Sequence, residues 1–101
     1  MVLEELAYML RHVLRFARAK AVPTPLAQGI AASRVLAKPY GNVLIMSPWN
    51  YPLLLTIGPL VDALAAGNTA LVKPSAYSPN VSHAIAKLLG DTFAPEYVAV
   101  I

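Results

Sequence analysis

The sequence contains no cysteine, so the chain itself offers no disulfide, no zinc–thiolate site and no cysteine nucleophile. Charged residues are also scarce, at 13 % of the 101 residues, whereas 57 % are hydrophobic. This composition excludes intrinsic disorder, which requires low hydrophobicity and high charge. It also predicts that some apolar surface meets another protein segment. The net charge of +3 comes without the clustered Lys and Arg of a nucleic-acid interface.

Features of membrane, secretion and metal-binding sequences are missing as well. Glu4 and Glu5 contradict the basic start of a signal peptide. Residues 39–61 carry no charge, but four prolines would break any helix long enough to span a bilayer. His12 and His83 are isolated from other ligand types, so no metal site is expected. We therefore expect a cytoplasmic location.

The first third of the chain predicts one helix and an extended connector. Leu and Val recur at helical spacing over residues 3–20, opposite a face that carries Arg11, Arg15 and Arg18. Those arginines suit a solvated face better than a phosphate or membrane contact. Pro23 and Pro25 end the helix, and residues 21–30 form the connector. A short outlying strand is expected within residues 33–38. Residues 1–30 and residues 31–101 are treated as two parts of a single structural unit.

The rest of the chain predicts an α/β arrangement. Continuous apolar runs alternate with helical patterns bounded by Pro and Gly, and such runs are typical of strands buried on both faces. The helices open at Pro52 and, after a Ser78 N-cap, at Pro79; Gly67-Asn68 and Gly90 end them. The order is strand, helix, strand, helix, strand, with strands at residues 43–46, 69–72 and 97–101. This predicts a βαβαβ half of a doubly wound, Rossmann-like parallel sheet.

A ligand site is expected where the strands of such a sheet end. The first strand leads into residues 47–51 and the second into residues 73–76, so the two loops flank one crevice. The amide of Asn50 can donate two hydrogen bonds to a developing oxyanion, but spacing alone favours a helix N-cap. Lys73 suits a ribose or phosphate contact as well as a solvated strand end.

The remaining polar and aromatic residues of this region have plainer interpretations. Trp49 is typical of a packing residue more than of a stacking platform. Ser75 and Ser78 fit turn and cap positions better than a nucleophile, because no His or acid stands at a useful spacing.

Two segments carry a specific resemblance. The run Pro-Tyr-Gly-Asn-Val-Leu-Ile-Met-Ser-Pro-Trp-Asn-Tyr-Pro fills residues 39–52, and Ala-Ala-Gly-Asn at residues 65–68 precedes Lys-Pro-Ser at residues 73–75. This set, at this spacing, resembles the aldehyde dehydrogenase superfamily, and its class 3, fatty-aldehyde-type branch most closely. The match is clear over residues 34–101 and looser over the first helix and Thr24-Pro25-Leu26.

The resemblance implies an oxidoreductase that uses NAD or NADP to turn aldehydes into carboxylic acids through a cysteine thiohemiacetal. It implies that Asn50 is a catalytic oxyanion-hole donor and that Lys73 contacts the adenosine ribose. By the same resemblance, the remaining residues that line the cofactor cleft are Met46, Ser47, Pro48, Trp49, Ser75 and Ala76.

The departures from the family pattern define the expectations for this chain alone. Ala76 stands where family members commonly have a ribose-binding Glu, which leaves the choice between NAD and NADP open. The nucleophilic Cys, the general-base Glu and the turn over the pyrophosphate would all lie downstream. We therefore expect an N-terminal portion of such an enzyme that is inactive by itself and self-associates. The alternative is a non-catalytic nucleotide-binding or assembly module that keeps the fold.

Overall fold

The computed structural model describes all residues from Met1 to Ile101 and begins with a helix that packs on a second one. Helix α1 spans Val2–Phe16 and lies against α2, which spans Pro52–Ala65. The two helices meet near Gly58, where a Cβ would lie 3.2 Å from a carboxylate oxygen of the flexible Glu5 side chain. Arg11 and Arg15 are exposed on α1, as predicted, but the helix expected over residues 3–20 ends at Phe16, because Lys20 already pairs with Val35, and Arg18 lies beyond the helix.

The apolar face of α1 is less buried than its pattern predicts. Leu3, Leu10 and Leu14 remain 70–78 % exposed, and no residue of the helix is fully buried. The reason is that α1 has one neighbour, α2, whereas an amphipathic stripe of this width fits a groove between two elements.

The segment expected to be a plain connector contains half of a hairpin. Strand β1 spans Lys20–Val22 and pairs antiparallel with β2, Ser33–Val35, while Leu26–Gln28 forms a single 3₁₀ turn between them. The hydroxyls of Thr24 and Ser33 lie 2.9 Å apart within the hairpin. The hairpin therefore joins residues on both sides of the expected boundary at residue 30, and the division into two parts stays a prediction.

The predicted βαβαβ unit is confirmed. Strands β3 (Asn42–Met46), β4 (Thr69–Lys73) and β5 (Val98–Val100) form a parallel sheet in the order β3-β4-β5. Helix α2 connects β3 to β4, and α3, spanning Pro79–Thr92, connects β4 to β5. Gly90, expected just after the end of α3, lies inside it, because the helical hydrogen bonding continues to the Phe93 N–H.

The sheet is covered on one face only, so the expectation of strands buried on both faces is wrong. Val72 on the covered face is fully buried, whereas Leu44 and Met46 on the other face are 56 % and 70 % exposed. Right-handed crossovers between strands in sequential order place both helices on the same side of the sheet. The core therefore consists of the covered strand faces and the inner faces of α2 and α3: Ile45, Leu60, Ala70, Val72, Ile85, Leu89 and Val98.

Asn68 holds together the amino ends of β3 and β4, at the edge of the sheet opposite the two candidate loops. It is 3 % exposed, and its side chain accepts a hydrogen bond from the Gly41 N–H at 2.9 Å and donates one to the Ala63 carbonyl at 3.1 Å. The preceding Gly67 has a φ of +87°, in the left-handed region expected after a helix end. None of the three helices has both the length and the apolar character needed to cross a bilayer.

Candidate functional site at the carboxyl edge of the sheet

The two candidate loops begin at neighbouring points. Met46, the last residue of β3, pairs in register with Lys73, the last residue of β4. One residue later, the Ser47 N–H donates a hydrogen bond of 3.1 Å to the Lys73 carbonyl. The two loops predicted to flank a crevice, residues 47–51 and 73–76, are therefore hydrogen-bonded to each other where they leave the strands.

Side chains at this edge point to opposite faces of the sheet. Because successive strand residues point to opposite faces, Met46 and Lys73 share the helix-free face, and both are exposed. Ser47 points to the other side, where it is 8 % exposed beneath α2. The side chain of Ser47 thus belongs to the interior, and only its backbone lies along the crevice.

The middle of the first loop is open to solvent. Pro48, Trp49 and Asn50 are all exposed, Trp49 with 65 % of its surface accessible. The interpretation of Trp49 as a packing residue is therefore wrong within this chain. An exposed indole at a strand end is available to contact a ligand, since its ring is apolar and its N–H is a hydrogen-bond donor.

The loop ends on a left-handed residue. Tyr51 has a φ of +47° and is the N-cap of α2, which has no side-chain cap hydrogen bond. Asn50 is consequently not the cap, so the interpretation favoured by spacing alone is wrong. The Asn50 amide stays exposed beside the strand ends.

A buried hydroxyl that the sequence pattern did not single out lies under this loop. Thr56 is 0 % exposed, and its Oγ1 lies 2.7 Å from Ser47 Oγ and 2.5 Å from the Pro52 carbonyl oxygen. Its four-residue spacing from buried Leu60 is the pattern that places it on the inner face of α2.

The second loop is held mainly by hydrogen bonds that Ser75 accepts. Ser75 Oγ accepts a hydrogen bond of 3.2 Å from the Tyr77 N–H, and the Ser75 carbonyl accepts one of 2.7 Å from Ser82 Oγ. These contacts agree with a turn role for Ser75. Ser78 is the N-cap of α3 by position, but its Oγ is buried without a hydrogen-bond partner. Ala76 is exposed and offers no polar group.

The arrangement can bind a polar ligand through two exposed donors. The Asn50 amide and the Lys73 ammonium are both exposed, and Lys73 has no salt-bridge partner. A separate apolar groove of about 350 Å³ lies between α1, α2 and α3, and no residue of the two loops lines it. The polar chemistry available to the chain is therefore at the sheet edge and not in that groove.

Comparison with known proteins identifies the family to which the chain is similar. The sequence profile of the aldehyde dehydrogenase family matches residues 2–101. A Staphylococcus aureus protein named 4,4'-diaponeurosporen-aldehyde dehydrogenase is 43 % identical over 91 residues, which are 90 % of this chain and 20 % of that protein. Human aldehyde dehydrogenase family 3 member B1 is 43 % identical over 94 residues, 93 % of this chain and 19 % of that protein. The chain thus spans about a fifth of the length of these relatives.

Solved structures agree with the sequence comparison. The substrate-bound state of Staphylococcus aureus AldH superposes with a TM-score of 0.95 at 40 % identity, over 99 % of this chain and 22 % of that one. Bradyrhizobium japonicum proline utilization A shares the fold, with a TM-score of 0.70 at 24 % identity over 99 % of this chain and 11 % of that one. The resemblance inferred from residues 39–52 and 65–75, including its class 3 branch, is confirmed: this chain belongs to the aldehyde dehydrogenase family.

Proposed function

We propose that the chain supplies the oxyanion donor and part of the cofactor cleft of an NAD- or NADP-dependent aldehyde dehydrogenase. The observation that carries the proposal is the register of β3 with β4, which sets the Asn50 loop beside Lys73 at one strand edge. Family membership supports aldehyde oxidation as the reaction of the whole enzyme. The nucleophile of that reaction would come from residues outside this sequence, which has no cysteine.

Asn50 stabilises negative charge on the aldehyde oxygen in this proposal. When a nucleophile adds to an aldehyde carbonyl, the oxygen gains charge, and a fixed N–H donor favours that state over the neutral carbonyl. The amide of Asn50 remains free for this role because it does not cap α2. An amide does not titrate, so the donor persists at any pH at which the protein folds.

Lys73 holds the sugar of the cofactor. Its ammonium has three donors and stands exposed at the end of β4, where it suits ribose hydroxyls. Met46, in register with Lys73, offers exposed apolar surface next to it, and Pro48 and Trp49 add exposed apolar surface in the loop that follows. A bound nicotinamide dinucleotide would supply the hydride acceptor for the oxidation. Ser75 and Ala76 line the same edge, and Ala76 contributes no carboxylate for the ribose.

The aldehyde is expected to be apolar. The relatives include proteins named for diaponeurosporen and diapolycopene aldehydes, from Staphylococcus aureus and Cytobacillus firmus. Trp49 and Tyr51 flank Asn50 in sequence, and both are largely exposed, at 65 % and 75 %. Their rings provide apolar area for the chain of such an aldehyde while the amide meets its oxygen.

The proposal is tested by replacing Asn50 in the full-length polypeptide that carries this segment. Asn50→Ala and Asn50→Asp should each lower kcat for aldehyde-dependent NADH or NADPH formation by about 10²- to 10³-fold, the usual effect of losing one oxyanion donor. Cofactor Kd should change little, since the Ala variant removes no cofactor contact.

Asn42→Ala is the matched control. Asn42 is also an exposed asparagine, but it lies at the opposite end of β3, so kcat should stay near that of the unaltered enzyme. The proposal is wrong if the unaltered polypeptide reduces neither cofactor with any aldehyde, or if Asn50→Ala keeps full kcat.

A further inference from the structure

The Thr56 hydroxyl is a polar group in an apolar place. Helix α2 packs this residue against the sheet with no solvent-accessible surface, in a stretch where its neighbours are Leu, Ile and Gly. Burying a hydroxyl is unfavourable unless it is hydrogen-bonded, and a valine would fill the same volume without that requirement. The hydroxyl is therefore tolerated only because of the bonds that it makes.

Those bonds form a short chain. Thr56 Oγ1 is 2.5 Å from the Pro52 carbonyl oxygen and 2.7 Å from Ser47 Oγ. A carbonyl only accepts, while each hydroxyl can donate one proton and accept. Both contacts are satisfied together when the Thr56 proton is directed to Pro52 and the Ser47 hydroxyl donates to Thr56.

The two partners of Thr56 are the two ends of the loop that carries Asn50. Ser47 is the first residue after β3, and Pro52 is the first residue of α2, so residues 48–51 lie between two points held by one oxygen atom. Ser47 is also fixed through its N–H to the Lys73 carbonyl. The residue before Pro52 adopts a positive φ, which a non-glycine residue keeps only when its surroundings hold it there.

We propose that Thr56 is a positioning residue, which clamps the ends of this loop so that the Asn50 amide stays aimed at the reacting oxygen. The inference rests on the proposed function of Asn50. An intrahelical bond to Pro52 alone is a common contact of threonine in helices. The additional bond to buried Ser47, outside the helix, is what connects Thr56 to the loop.

The first test compares hydroxyl-removing and hydroxyl-keeping variants in the full-length enzyme. Thr56→Val should lower kcat about 10-fold with cofactor Kd unchanged, because small displacements of a catalytic group cost large factors in rate. Thr56→Ser keeps the hydroxyl and should restore most of kcat. Thr92→Val is the matched control, since Thr92 Oγ1 makes the same kind of bond, 2.6 Å to the Leu88 carbonyl, in α3; kcat should not change.

The second test asks whether Thr56 acts through Asn50. In an Asn50→Ala background, Thr56→Val should lower kcat no further, since a clamp has no effect on a donor that is absent. An additional 10-fold loss there would overturn the proposal and assign Thr56 a general structural role. If Thr56→Val does not fold, Ser47→Ala removes the same link and should give the same kcat loss; an unchanged kcat in that variant overturns it too.

The outcomes separate this inference from the proposed function. If Asn50→Ala lowers kcat while Thr56→Val leaves it intact, the oxyanion role stands and the clamp is wrong. If Asn50→Ala itself has no effect, the proposed function fails first, whatever Thr56 does.

Discussion

Asn50 and Lys73 differ in how firmly the fold holds them. Asn50 lies in a loop whose ends are both hydrogen-bonded to Thr56. Lys73 extends a flexible side chain from a strand end, with only its backbone fixed by Ser47. An oxyanion donor needs fixed geometry, whereas a contact to sugar hydroxyls tolerates motion. The degree of support matches the role proposed for each residue.

Lys73 gives the residue-scale prediction, which the isolated chain can test. With a partial cleft and no carboxylate at Ala76, NAD should bind with a Kd of about 1 mM or weaker, which corresponds to about −4 kcal/mol. Lys73→Ala should weaken binding roughly 3- to 10-fold, the range expected for one solvent-exposed hydrogen bond. Chemical-shift titration by NMR suits such affinities.

Lys87→Ala provides the comparison for Lys73→Ala. Lys87 is also an exposed lysine, but it lies on α3 and pairs with Asp91 at 2.6 Å, so its loss should leave NAD binding unchanged. Micromolar binding by the unaltered chain would contradict the partial-cleft argument. Equal affinities of the Lys73 variant and the unaltered chain would remove Lys73 from the site.

At the scale of elements, strong apolar patterns were predictable and the pairing of short exposed strands was not. The runs that end at Met46 and Val72 identify β3 and β4, and Pro52 and Pro79 mark the starts of α2 and α3. The short strand expected within residues 33–38 corresponds to β2, but β1 and its pairing with β2 were missed, because β1 has only three residues and no alternating pattern. Its pairing depends on residues 11 or more positions apart, which local periodicity does not register.

Two glycines, one in α3 and one after α2, test the observed helix ends. Gly90 lies in the last part of α3, exposed and with open space around the position that a Cβ would take, so Gly90→Ala should stabilise the fold by about 0.5–1 kcal/mol. Gly67 has a φ of +87°, so Gly67→Ala should destabilise it by about 1–2 kcal/mol. Thermal unfolding of the two variants should shift Tm in opposite directions.

Whether Gly90→Ala raises or lowers Tm distinguishes between two positions for the end of α3, Leu89 and Thr92. If α3 ended at Leu89 with Gly90 in the left-handed region, as the sequence pattern predicts, alanine would lower Tm at that position just as it does at Gly67. A rise in Tm fits the helix that continues to Thr92.

At the scale of the molecule, the sequence predicted the sheet but not which faces are covered. Leu44 and Leu71 sit in apolar runs that are typical of two-sided burial, yet they are 56 % and 38 % exposed because both helices pack on the other face. Coverage of a sheet depends on the order of its strands, and local hydropathy does not encode that order. For the same reason the sequence did not point to Thr56, because its hydrogen bond to Ser47 forms only when α2 packs over the end of β3.

The uncovered face and the open edge of β3 lead to a prediction about association. β3 pairs only with β4, so one row of its N–H and C=O groups has no strand partner. Leu44 and Met46 add exposed apolar area beside that edge, and charged residues are too few to oppose contact. The isolated chain should therefore self-associate at about 10–100 μM, the range in which such surfaces drive association.

Sedimentation velocity across that concentration range measures the association. Introducing one charged side chain at a time tests which surface mediates it. Leu44→Lys places a cation on the uncovered face next to the open edge, so it should shift the distribution toward monomer. Leu3→Lys makes the same change at a residue that is 78 % exposed on α1, away from the sheet, and should leave association unaltered. A monomer independent of concentration would contradict the prediction. Equal dissociation by both variants would move the contact from β3 to a surface that includes α1.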